Sequence, residues 1–123
     1  MALILVVDDD VPIIKFAKTM LERDGHTVFT ATNGIEAAEV IVTQNAELDI
    51  IISDFRMPEL DGLGLYIWIT SEFPELATKF VFHTGNVDEL DGYHQAKGVR
   101  KIDKPGHLIQ MVRELLSPAQ IAV

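Results

Sequence analysis

Four carboxylates in this chain stand where an apolar run stops. Leu3-Ile4-Leu5-Val6-Val7 runs into Asp8-Asp9-Asp10, and Ile50-Ile51-Ile52-Ser53 runs into Asp54. A carboxylate so placed can be a nucleophile, a general acid or base, or a ligand for a hard cation. Two more polar residues close later runs: Thr84 after Phe80-Val81-Phe82-His83, and Lys104 after the mixed segment from Val99 to Asp103. A nucleophilic acid, paired acids, a hydroxyl and an ammonium are what in-line transfer of a phosphoryl group to an aspartate needs, once a fold gathers them. Taken singly, Asp54 would equally serve as a helix N-cap or turn residue.

The elements that must do the gathering are legible in the hydropathy pattern. Short, continuous apolar runs before Asp8, Asp54 and Thr84 suit strands covered on both faces, as in a parallel sheet. Thr27 to Ala31 and Val99 to Asp103 mix apolar with polar positions and suit sheet edges. Between them lie helical patterns. The first opens at Pro12, turns Ile13, Phe16, Ala17, Met20 and Leu21 inward, and stops near Gly25. Asn33 and Glu36 resemble a capping box opening the second, with Ile35, Ala38, Ile41 and Val42 inward. Asp61-Gly62 starts the third, with one stripe through Leu63, Tyr66 and Ile67, a second through Leu65, Trp68 and Ile69, and a stop at Phe73-Pro74. Asn86 and Glu89 could cap a fourth, weakened by Gly92, and a last helix carries Leu108, Ile109, Val112, Leu115 and Leu116 to a stop at Pro118.

Five strands alternating with five helices predict right-handed crossovers and a doubly wound α/β sandwich of three layers. With the mixed strands at the edges, the sheet order is 2-1-3-4-5, whose switch point lies between strands one and three. Asp8, Asp9 and Asp54 flank that crevice. At about 4 Å and an effective dielectric near 20, each pair of charges repels by roughly 4 kcal/mol, so protons or a divalent cation must neutralise them. Oxygen ligands in an open site favour Mg²⁺, which accepts phosphate oxygens.

Composition narrows the alternatives. The 123 residues suit one domain, and 19 acidic against 10 basic side chains give a net charge of −9, which argues against a nucleic-acid backbone as direct partner. With no cysteine there is no disulfide or thiolate site. The N-terminal apolar run is short, lacks a basic leader and meets three aspartates, so it reads as a strand and not as a signal peptide. No run has bilayer-spanning length. His26, His83, His94 and His107 show no paired ligand spacing, and His83 suits packing on the sheet. Glu59 and Asp61 read as loop and cap residues, Tyr66 and Trp68 as packing.

Asp8-Asp9, Asp54 with Met57-Pro58 and Asp61-Gly62, Thr84, and Lys104-Pro105 fall at the ends of the correct strands in the correct order. Over essentially its whole length the chain resembles the response-regulator receiver domains of two-component signalling, of which the chemotaxis response regulator is one, with a flavodoxin-like (βα)5 fold. The resemblance implies that residues 1–123 form a single receiver domain with no output domain in this chain. It implies that Asp54 accepts a phosphoryl group from a phosphohistidine on a histidine kinase or histidine phosphotransfer protein. Asp8, Asp9, Asp54 and the Arg56 carbonyl would hold Mg²⁺; Lys104 would pair with a phosphoryl oxygen, and Thr84 would hydrogen-bond it. It further implies a cytoplasmic protein, a downstream protein or fused output domain as receiver of the signal, a dimer on phosphorylation, and a cis bond at Lys104-Pro105. No nucleic acid or membrane is expected as direct partner.

Some positions depart from the family pattern. Lys101 stands where an aromatic switch residue is usual, Gly106 replaces a frequent Phe, and Gly92 loosens the fourth helix. Arg56 and Asn86, each two residues beyond a site residue, would flank the entrance, where the Arg56 guanidinium could reach phosphoryl oxygens and slow hydrolysis. Two other readings are open: a receiver-like interaction module that is never phosphorylated, and a Mg²⁺ phosphatase using Asp8 and Asp10.

Overall fold

A strand whose every side chain is aliphatic can be buried only if both sheet faces are covered, and that condition shapes the molecule. The computed structural model describes residues 2–44, 47–57, 59–84, 100–103 and 108–116. In chain order these form β1 (Leu3–Val7), α1 (Val11–Arg23), β2 (Thr27–Ala31), α2 (Gly34–Gln44), β3 (Ile50–Ser53), α3 (Gly62–Glu72), the single turn α4 (Pro74–Ala77), β4 (Phe80–Thr84), β5 (Arg100–Asp103) and α5 (Leu108–Leu116). All four strand pairings are parallel, and the order is β2-β1-β3-β4-β5. The predicted doubly wound topology, with the mixed strands at the edges, is the one observed.

Alternation along the strands splits the interior in two. Leu5, Val7, Ile51, Phe80 and Phe82 pack with Ala37 and Ile41 of α2 and Leu65 and Ile69 of α3. Ile4, Val6, Ile50, Ile52 and Val81 pack on the other face with Ala17 and Leu21 of α1 and Leu108 and Val112 of α5. Tyr66 and Trp68 are packing residues: Tyr66 lies 5.2 Å from the Phe80 ring and Trp68 lies 5.5 Å from Phe73. His83 is buried at the end of β4.

These helices exist where periodicity puts them; α5 keeps its expected inward face and α3 buries the second of its two stripes, but the inward faces of α1 and α2 are rotated from the expected ones. The buried stripes are Ile14-Ala17-Leu21, Gly34-Ala37-Ile41 and Gly62-Leu65-Ile69, all spaced i, i+3, i+7. Phe16, Ile35, Val42 and Ile67, expected inward, are about half exposed. Each of these stripes contains a Gly or Ala, which lets the helix axis come close to the sheet; larger neighbours are then turned outward. In α3 the buried stripe is therefore the one through Leu65 and Ile69. Pro12 and Gly25 act as expected: Pro12 lies in the first turn of α1, and Gly25 adopts φ +95° beyond its end. Pro74 does more than stop α3, since it opens the turn α4. Of α5, Leu108 and Val112 are buried, and Ile109, Leu115 and Leu116 are partly buried against the same cluster.

The expected fourth helix with Asn86, Glu89 and Gly92, the histidines at 94 and 107, and Lys104, Pro105 and Gly106 lie outside the described residues. Thr84 and Lys101 are described as strand backbone only.

Candidate functional site

The switch point between β1 and β3 is built by main-chain bonds that continue the sheet one residue beyond each strand. The Asp8 N–H donates to the Ala31 carbonyl at 3.1 Å, and the Asp54 N–H donates to the Val7 carbonyl at 2.8 Å. Val7 is also the register partner of both Ala31 and Ser53. The two aspartates thus emerge on the same rim, side by side, at the carboxyl ends of their strands. Asp8 is buried, Asp54 is half-buried and Asp9 is exposed, and one ligand oxygen from each lies within 4.8 Å of the others.

Asp8 and Asp54 are each held by a local main-chain N–H. Asp8 Oδ1 accepts the Asp10 N–H at 2.9 Å, and Asp54 Oδ1 accepts the Phe55 N–H at 2.8 Å. The helix-cap reading of Asp54 therefore fails, because the next helix starts only at Gly62, where Asp61 accepts the Gly64 N–H at 2.8 Å. Asp10 is the cap of α1, accepting from the Ile13 N–H at 3.4 Å. That contact makes Asp10 a helix cap, and Asp10 is not part of the acid cluster formed by Asp8, Asp9 and Asp54.

Behind the acids stands an apolar wall. Phe55 and Phe82 meet edge to face at 5.7 Å, and Met57 is buried beside them. The Arg56 side chain is exposed and carries its guanidinium 5.9 Å from the Phe55 ring centroid, next to the residue that follows Asp54. The loop from Asp54 to Gly62 is closed by the Gly62 N–H, which donates to the Phe55 carbonyl at 2.9 Å. Any Cβ at Gly62 would overlap the Asp54 carbonyl oxygen, so only glycine fits there. Sequence reading took Asp61-Gly62 as turn chemistry and missed this close approach; an Asp-Gly pair does not reveal what its backbone touches.

Phe82 is the register partner of Ser53, which puts Thr84 on the same rim, and Thr84 pairs with Asp103, the residue before Lys104. The arrangement therefore gathers Asp8, Asp9 and Asp54 and brings the chain at Thr84 to their edge. Lys104 lies outside the described residues. Three oxygens this close suit a hard divalent cation, engaged directly or through a bound water, since ligands facing each other across a Mg²⁺ octahedron stand roughly 4 Å apart. Among the described residues no helix is long and apolar enough to cross a membrane.

Comparison with known proteins agrees with this geometry. The response regulator receiver domain family matches residues 4–115. The chain is 29% identical over 119 residues to the response regulator SaeR of Staphylococcus aureus, covering 93% of this chain and 50% of that protein. It is 33% identical over 88 residues to the sensor kinase CckA of Brucella abortus, covering 72% of this chain and 9% of that one. The chain thus spans half or less of these relatives' length. Among solved structures, the response regulator TrrA of Thermotoga maritima, in complex with Mg²⁺ and BeF, matches with a TM-score of 0.82 and 28% identity over 94% of this chain and 100% of that one. A response regulator receiver domain protein of Clostridium thermocellum matches with a TM-score of 0.81 and 25% identity, covering both chains completely. With the sheet order, the acid triplet on its rim and the family match in agreement, the chain belongs to the response regulator receiver domains of two-component systems.

Proposed function

We propose that residues 1–123 work as one phosphoryl-accepting receiver domain, with Asp54 as acceptor. The observation that carries this reading is the convergence of the Asp8, Asp9 and Asp54 oxygens within 4.8 Å at the topological switch point. The Asp54 carboxylate attacks the phosphorus of a phosphohistidine on a histidine kinase or phosphotransfer protein. A P–O bond forms, the P–N bond breaks, and the imidazole leaves. Asp8, Asp9, Asp54 and the Arg56 carbonyl would hold Mg²⁺. When bound, the ion neutralises the acids and the phosphoryl oxygens. The backbone bond from Phe55 keeps Asp54 Oδ1 oriented, and the wall of Phe55, Met57 and Phe82 limits water on that side. Thr84 receives a phosphoryl oxygen as hydroxyl donor and Lys104 as cation, and the change at Thr84 moves the partner-binding surface. The protein is read as cytoplasmic, signalling to a downstream protein or fused output domain, with dimerisation on phosphorylation.

Incubation with acetyl phosphate and Mg²⁺, followed by intact mass, tests this. Wild type is expected to gain one phosphoryl group and Asp54→Asn none. Absence of the adduct on wild type would leave the unphosphorylated interaction module as the reading.

A further inference from the structure

Gly34 opens α2, is buried, and donates its N–H to the Leu60 carbonyl at 3.0 Å. A Cβ at Gly34 would overlap that carbonyl oxygen and lie 2.8 Å from both Cβ and Cγ of Leu60. On the α3 side, a Cβ at Gly64 would lie 2.7 Å from Leu60 Cδ1. Leu60 is therefore seated in a slot whose two walls are glycines on different helices. The residue before it, Glu59, is held at φ 65°, a backbone conformation that a non-glycine residue adopts only when its surroundings enforce it.

The start of α2 is itself held by side-chain hydrogen bonds. Asn33 Oδ1 accepts the Glu36 N–H at 2.8 Å, and Glu36 Oε1 accepts both the N–H and the hydroxyl of Thr32 at 2.7 Å. Glu36 thus reaches Thr32 and not the Asn33 N–H of a standard capping box. Those hydrogen bonds from Thr32 hold the Glu36 carboxyl below the usual carboxylate range. The start of α2 is in this way tied to the end of β2, whose Ala31 carbonyl receives the Asp8 N–H.

We propose that Gly34 is a positioning residue for the phosphoryl site: it docks the loop that follows Asp54 onto α2 through Leu60, and so sets the Arg56 carbonyl and Asp54 relative to Asp8. The inference rests on the reading of Asp54 as phosphoacceptor. Leu60 lies in the chain between Asp54 and the Gly62 closure, so displacing it moves the loop that carries Arg56, and a misplacement of about 1 Å can cost on the order of 10²-fold in rate.

The test uses the full chain, with Gly34→Ala, Gly64→Ala and Leu60→Ala beside wild type. Amide NMR shifts and hydrogen exchange of Leu60 to Gly62 are measured without metal. Mg²⁺ half-saturation by calorimetry and the acetyl-phosphate rate at saturating Mg²⁺ follow. Gly34→Ala is expected to remain folded, to shift those amides, and to lose about tenfold or more in rate. Gly64→Ala meets only the end of a flexible side chain and is expected to lose less; an equal loss would assign the effect to helix-terminal glycine in general and overturn the role of the Leu60 carbonyl. Unchanged amides, or wild-type Mg²⁺ affinity and rate in folded Gly34→Ala, would also overturn it. If Gly34→Ala fails to fold, Leu60→Ala decides: a severalfold slower transfer supports the docking role, and a wild-type rate removes it. If wild type itself takes neither Mg²⁺ nor phosphoryl, the reading of Asp54 fails, while the amide shifts still judge the Gly34–Leu60 contact.

Discussion

The Asp54 main-chain N–H, one residue past the end of β3, donates to the carbonyl of Val7, the last residue of β1, at 2.8 Å. That bond forces the acid that follows the isoleucine run to lie beside the acids that follow Val7, whatever their charges prefer. Three acidic side chains are thereby brought within 4.8 Å of one another.

Removing one of those charges should stabilise the metal-free protein. Asp54→Asn keeps the oxygen that accepts the Phe55 N–H and relieves two repulsions, so its thermal midpoint without Mg²⁺ is expected to rise by a few degrees, corresponding to on the order of 1 kcal/mol. Calorimetric melting of the two proteins in a chelator checks this.

Mg²⁺ should reverse that order. Because the cation binds the folded state, at about a hundred times its dissociation constant it adds ~2.7 kcal/mol to wild type. Asp54→Asn, with a weakened ligand set, gains less. Equal Mg²⁺-induced shifts in the two melts would exclude Asp54 as a ligand.

Gly62→Ala should be costly for a reason unrelated to charge. The added methyl collides with the Asp54 carbonyl, and overpacking of this kind costs typically about 1–3 kcal/mol. Urea unfolding should show a lower midpoint with an unchanged slope.

Asp24 and Arg113 tie α1 to α5 at a distance from the acids. Arg113 Nε donates to Asp24 Oδ2 at 2.9 Å, a second guanidinium nitrogen meets Oδ1, and His26 Nε2 lies 3.6 Å from the same carboxylate. The hydrogen bond from Arg113 lowers the Asp24 carboxyl below its usual value and raises the guanidinium. A depressed acid contributes stability that is present above its unfolded pKa, about 3.9, and is lost as pH falls through the lower folded value. Arg113→Ala should thus melt below wild type at pH 7, with the gap closing below about pH 4. A gap that persists under acid would mean the pair acts through packing alone.

Arg56 supplies a kinetic prediction. Its guanidinium lies over the Phe55 ring, beside the residue that follows Asp54. Arg56→Asn is expected to shorten the phosphoaspartate lifetime severalfold, measured by decay of the adduct in intact mass. An unchanged lifetime would remove that role.

Strand identity and order were decided by the sequence itself, because a run such as Ile50-Ile51-Ile52 permits few alternatives to a strand covered on both faces, and a mixed run such as Thr27 to Ala31 tolerates an edge. The acids followed, since chain position after those strands puts them on one rim. Only the tertiary structure decided which stripe of α1 and α2 faces inward, and in α2 it chose Gly34-Ala37-Ile41 over the larger Ile35 and Val42. Close approach of backbone to sheet outweighs side-chain hydrophobicity at such positions, and hydropathy cannot register it. The same limit hid Gly34 against Leu60 and Gly62 against Asp54: a missing Cβ carries no signal until the atom that would strike it is in place.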